Sequence, residues 1–197
     1  MCGRFYIESD DTPDELVELL NRAEAKVQTR DAAFRLPRGE LRPGDCAAVV
    51  ALNRASQRSV FAMKWGFRLE KQLLINARSE TAAQKPTFRD SLRDRRCLIP
   101  ASAYFEWDHR TKPLTKYRFA LPDSPVMYLA GLYRFEPDSP HPVFTVLTRE
   151  AAPEIACFHD RMPVILPPEM TSRWLDRSLP AQPLLETAVT RLNYRMV

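Results

Sequence analysis

Residues 46–65 read CAAVVALNRASQRSVFAMKW. Two apolar runs, 46–52 and 58–65, flank a short polar connection, which is the pattern of a β-hairpin. Further strand-like runs lie C-terminal to it: LLIN (73–76), RCLI (96–99), YRFALP (117–122), VMYLAGLYRF (126–135) and PVFTVLT (142–148). On the N-terminal side, Thr12-Pro13-Asp14-Glu15 offers an N-cap, a proline at the first helical position and a glutamate at N3. Leu16, Leu19, Leu20, Ala23 and Val27 then recur at helical spacing, so an amphipathic helix is expected over 13–28. Shorter helices are expected near 79–84, 149–157 and 168–176. Runs of strands with helices dropped between them at irregular intervals predict an α+β fold. The expected form is a single domain over 1–197, a mainly antiparallel curved sheet or open barrel with flanking helices. Seventeen prolines against five glycines imply rigid loops. No repeat, low-complexity stretch or linker marks a second domain.

A chain of 197 residues with 45% hydrophobic residues fits one globular domain. No stretch approaches a membrane span of roughly 18 apolar residues, and the N-terminus turns polar at once. The expected location is the cytoplasm, or the nucleoid when bound to DNA, and no membrane is expected as a partner. The four cysteines, at 2, 46, 97 and 157, form no CxxC pair, which argues against a structural zinc site or a disulfide framework. Reduced thiols, no metal and no cofactor are expected. The net charge of +4 rests largely on arginine, whose planar guanidinium suits bidentate phosphate contacts. A polyanionic partner and a GC-rich coding sequence explain that composition equally well.

The chain opens MCGRF. Removal of Met1 would leave Cys2 with a free α-amine and a thiol on adjacent carbons. The amine titrates near 7.7–8 and the thiol near 8.5, so both supply nucleophile at neutral pH. An aldehyde meeting this pair forms an imine, and the thiol then closes a five-membered thiazolidine.

Three further stretches concentrate reactive side chains. In INARSET (75–81), Asn76 and Arg78 are two residues apart and project from the same side of a strand end, offering an orienting amide and a phosphate clamp. Asn76 also fits a turn. In IPASAYFEW (99–107), Glu106 sits among aromatic residues whose burial would raise its carboxyl toward the range of a general acid or base; plain alternation would instead turn it to solvent. In HDRMPVIL (159–166), His159 follows a predicted helix end, where a protonated imidazole is favoured. Trp65-Gly66-Phe67 reads either as core or as a stacking platform for an unpaired base, with Arg4, Arg78 and Arg161 as phosphate partners.

In order along the chain, MCGRF, WGF, INARSET with KPTF, RRCLIPASAYFEW, AGLY, TVLT and HDRMPVIL leading into WL resemble the SRAP family, the SOS-response-associated peptidases that process abasic sites in single-stranded DNA. Two departures stand out. WGFRLEKQLLINAR is shorter than the usual segment and lacks its proline and further tryptophan, and Ala103 stands where a glycine is common before EW. The resemblance implies that Cys2 is the nucleophile after Met1 removal, with Asn76, Glu106 and His159 as catalytic companions. It implies a DNA groove lined by Arg4, Trp65, Phe67, Arg78 and Arg161, a covalent thiazolidine link to abasic single-stranded DNA, and action as a monomer in the DNA damage response. Two alternatives remain open: an N-terminal-nucleophile cysteine peptidase or amidohydrolase that does not act on DNA, and a noncatalytic single-stranded DNA binder.

Overall fold

The structure is a computed structural model, and it describes residues 2–197. Met1, on which the expected N-terminal processing falls, lies outside the described residues.

In chain order the elements begin with β1 (Phe5–Ile7), α1 (Asp14–Gln28), β2 (Gly39–Leu41), β3 (Cys46–Leu52) and β4 (Arg58–Trp65). Next come β5 (Phe67–Leu69), β6 (Gln72–Leu74), β7 (Asn76–Arg78), α2 (Pro86–Asp94), β8 (Arg96–Ala101) and β9 (Ala103–Asp108). After β10 (Thr115–Ala120), β11 (Met127–Arg134) and β12 (Val143–Glu150) follow α3 (Pro153–Ala156), β13 (Arg161–Pro163) and β14 (Ile165–Leu166). A 3₁₀ turn (Pro168–Met170), α4 (Thr171–Leu175), α5 (Ala181–Leu185) and β15 (Asn193–Met196) complete the chain.

The hairpin over 46–65 forms with Cys46 opposite Lys64 and Leu52 opposite Arg58. It is the seed of a larger sheet in the order β13-β12-β4-β3-β8-β11-β14. Pairing of β11 with β12 closes β12, β4, β3, β8 and β11 into a ring, which agrees with the curved, partly closed α+β architecture read from the sequence. Closure leaves those strands no free edge. The second sheet, β15-β10-β9-β1-β2, carries the N-terminus. It meets the ring through Phe5, whose ring centre lies 4.9 Å from that of Trp65.

Several local expectations shift, each for a tertiary reason. Helix α1 buries Leu16, Leu19, Leu20 and Ala23 as the periodicity demands, but Pro13 takes the cap position and no capping box forms. The Thr12 hydroxyl instead donates to the Glu8 carbonyl, and Glu15 accepts from the Tyr128 hydroxyl. Residues 79–84 form turns, and the helix begins only at Pro86, because proline opens a helix but disrupts its interior. The helix expected over 149–157 shrinks to Pro153–Ala156 because β12 runs on to Glu150, paired with Arg161. LLIN is divided between β6 and β7: Leu74 stays in a small hairpin with β5, and Asn76 joins β12 in parallel.

Candidate active site

Cys2 precedes β1, whose Phe5 and Tyr6 pair with Tyr104 and Ala103 of β9. Its thiol donates weakly to the Arg4 carbonyl at 3.8 Å, and the same carbonyl accepts the Phe105 backbone N–H at 3.0 Å. The start of the chain is thereby seated over the middle of β9. From β7, Asn76 donates Nδ2 to the Cys2 carbonyl at 2.9 Å. Two contacts hold Asn76 in place: parallel pairing opposite Val146, and the Trp65 indole N–H, which donates to the Ile75 carbonyl at 3.0 Å.

Alternation along β9 puts Tyr104 and Glu106 on one face and Phe105 and Trp107 on the other. Glu106 takes the inward side, 3% exposed, while Trp107 is half-buried. Burial pushes the Glu106 carboxyl up to about 7, and the charge of Asp160 adds to the rise. A carboxyl in that range exchanges protons at neutral pH, as acid-base work requires. The Cys2 thiol is fully buried; burial pushes its pKa far above the usual range, and the Glu106 carboxylate raises it further. The resting thiol is therefore protonated.

His159 lies between α3 and β13, and its ring centre is 6.4 Å from that of His109, just past the end of β9. Burial lowers its pKa, the opposite of the helix-end expectation. A one-turn helix contributes little dipole, and desolvation dominates. The Arg161 backbone N–H donates to Nδ1 at 2.9 Å, which leaves the proton of the neutral ring on Nε2. Asp160 Oδ1 also lies 2.7 Å from Nδ1, a contact that becomes an ion pair only when the ring is protonated.

The structure revises the expected nucleic-acid surface. Trp65 and Phe67 are completely buried; Trp65 stacks on Phe144 with ring centres 6.1 Å apart. Neither ring has a face open to a base, so the stacking-platform reading fails for both, and Trp65 acts as the support beneath Asn76. Gly66 has φ of +117°, and a Cβ there would meet Leu73 at 2.4 Å. This glycine therefore serves a close packing contact. Arg161 is 8% exposed and makes a bidentate pair with Glu80, at 2.8 Å on each arm, plus a 2.8 Å bond to the Thr148 carbonyl. It is a structural clamp, and its phosphate role is withdrawn. Arg4 is partly exposed and paired with Glu40 at 3.1 Å, while Arg78 is exposed at the end of β7.

Two residues beside Glu106 were not singled out as site groups by sequence reading. Trp107 has the Arg4 guanidinium 6.0 Å and the Lys116 ammonium 5.6 Å from its ring centre. Tyr104 is completely buried on the Glu106 face. The available signal was the period-two alternation of YFEW, which pairs Tyr104 with Glu106 and Phe105 with Trp107.

A family model described as SOS response associated peptidase (SRAP) matches residues 1–197. Abasic site processing protein YoqW of Bacillus subtilis is 33% identical over 193 residues, covering 89% of this chain and 80% of the relative. Abasic site processing protein YedK of Escherichia coli is 27% identical over 201 residues, covering 96% and 86%. Among solved structures, a protein from Bacteroides thetaiotaomicron has a TM-score of 0.78 at 20% identity, covering 100% of this chain and 92% of its own.

Proposed function

Because the chain belongs to the SOS response associated peptidase (SRAP) family, we propose that it processes abasic sites in single-stranded DNA by forming a covalent link through Cys2. The names of its relatives support the substrate class. The observation that carries the reading to this chain is the Asn76 amide holding the Cys2 carbonyl, with the buried Glu106 beside the thiol.

The opened abasic sugar presents an aldehyde. Once Met1 is removed, the Cys2 α-amine adds to the aldehyde carbon, a C–N bond forms, and the carbonyl π electrons move to oxygen. Loss of water gives the imine. The thiol then adds across C=N, its proton passing to nitrogen, and the thiazolidine closes; the overall products are the cross-link and one water. Since burial keeps the thiol protonated, the amine is the first nucleophile. Glu106, near its midpoint at neutral pH, takes the proton from the adding amine and returns one to the departing oxygen. His159, resting neutral, accepts or returns a proton at the sugar hydroxyl freed by ring opening. Asn76 fixes the direction of attack. Arg78 contributes a phosphate contact, and Trp107, flanked by Arg4 and Lys116, offers a partly exposed ring on which a flanking base stacks.

The deciding experiment incubates mature protein with a single-stranded oligonucleotide carrying one abasic site and resolves it on a denaturing gel. A shifted band is expected, reduced with duplex abasic DNA and absent with an intact strand. Protein with an extra residue fixed ahead of Cys2 should give no band, and an equally strong band from it would remove the α-amine from the mechanism. Amide turnover without any adduct would favour the amidohydrolase alternative.

A further inference from the structure

Tyr104 occupies the one position on β9 that shares a face with Glu106 and sits opposite β1, Phe5 being its register partner. Its ring is clamped, stacking on Phe119 at 5.0 Å with 14° between planes. Phe119 in turn packs edge-on against Phe158, the residue before His159, at 5.4 Å. The side chain is completely buried, yet its hydroxyl hydrogen-bonds to no described residue. The neighbouring backbone supplies a reference point: Phe105 N–H donates to the Arg4 carbonyl that also receives the Cys2 thiol. The face shared by Tyr104 and Glu106 therefore flanks the thiol. Burial, with the charges of Cys2 and Glu106 adding to it, raises the phenol pKa well above its ordinary value, so the group stays protonated and donates.

A buried hydroxyl without a partner is costly, because it gives up its hydrogen bond to water and gains none. Phenylalanine would fill the same ring volume without that cost, so the hydroxyl is accounted for by a partner that arrives with the substrate. Asn76 differs in that one arm of its amide is already engaged on the Cys2 carbonyl.

We propose that Tyr104 is a further catalytic residue, whose hydroxyl donates a hydrogen bond to the oxygen left on the sugar aldehyde carbon as the Cys2 α-amine adds. This rests on the abasic-site reading above. No proton needs to leave the phenol: Glu106 carries the nitrogen's two protons to the oxygen in turn, the first giving the carbinolamine hydroxyl and the second letting it depart as water as C=N forms. A fixed donor aimed at a developing oxyanion strengthens as charge builds, so it acts on the transition state more than on binding.

The test is Tyr104→Phe in mature protein, with three measurements: adduct formation on an abasic single-stranded oligonucleotide, affinity for the intact oligonucleotide, and Tm. The expected result is an adduct rate lower by about 10- to 100-fold, below the full loss seen for an oxyanion-hole donor because Glu106 remains. Affinity for intact DNA should not change, and Tm should be equal or higher. An adduct rate within twofold of wild type would overturn the assignment. So would a lowered Tm, which would reveal a hydroxyl already bonded within the fold. If the wild-type protein itself forms no adduct, the abasic-site reading is what fails, and the Tm comparison still decides whether the hydroxyl is an orphan.

Discussion

Cys2 and Cys97 are both completely buried, and burial raises both thiol pKa values. Their surroundings differ. Cys97 lies inside the closed ring on β8, opposite Gly131 of β11 and Ala51 of β3. A Cβ on Gly131 would approach its sulfur to 3.2 Å. Two polar groups nearby are satisfied, since Trp174 donates its indole N–H to the Cys97 carbonyl at 2.9 Å and Arg96 donates to the Leu92 carbonyl at 2.7 Å, while the buried Thr145 hydroxyl, across Gly131, has no partner among the described residues. Around Cys2 the same depth of burial encloses a carboxyl near its midpoint, and a phenol and an amide Oδ1 that have no partner among the described residues. Burial alone therefore yields an inert core thiol. A reactive site needs, in the same desolvated space, a group that titrates near neutral pH, at a cost in stability.

Exchanging the two thiols is the most severe way to break this contrast. Cys2→Ala should abolish the adduct with little change in Tm. Cys97→Ala should leave adduct formation intact and lower stability by about 1 kcal/mol through lost packing. A Cys97 variant that loses the adduct would make the ring part of the site.

Next in size is Glu106→Gln, expected to slow adduct formation by about 100-fold or more. It should also remove the limb expected near 7 in the wild-type pH–rate profile. The stability effect has the opposite sign. The folded-state pKa of Glu106 is raised above its unfolded value, so its contribution is intact below about 4.5 and is lost as pH rises toward 7. Glutamine escapes that loss, so the variant should melt no lower than wild type at pH 8. A marked fall in Tm at pH 8 would class Glu106 with the satisfied polar groups around Cys97.

The smallest effects separate the two arginines. Arg78→Ala should weaken binding to single-stranded DNA and reduce the salt slope by about 0.7 for the one phosphate contact. Arg161→Ala should leave that slope unchanged and lower stability by about 1–3 kcal/mol, because three charge-assisted hydrogen bonds are lost, although the Thr148 carbonyl keeps the Ser79 N–H and Glu80 keeps the Glu150 N–H. A shallower slope for Arg161→Ala would restore it to the DNA surface.

Local patterns in the sequence were enough for the 46–65 hairpin, the buried face of α1 and the α+β class, since strand alternation and helical spacing repeat over a few residues. The ordered motifs were enough for the family. Burial and partners were decided by tertiary contacts alone. Asn76 reaches Cys2 across 74 residues, and Arg161 finds Glu80 across 81. The same guanidinium is a phosphate contact or an internal clamp depending on a neighbour that no local window contains. Trp65 and Phe67 fit stacking or core equally well by sequence; pairing of Trp65 with Phe144 and packing of Phe67 on Phe88 bury both. Residue type and spacing are local properties, and they singled out Cys2; desolvation is set by everything packed around a group, and so only the folded chain shows that Cys2 and Cys97 are equally buried in different surroundings.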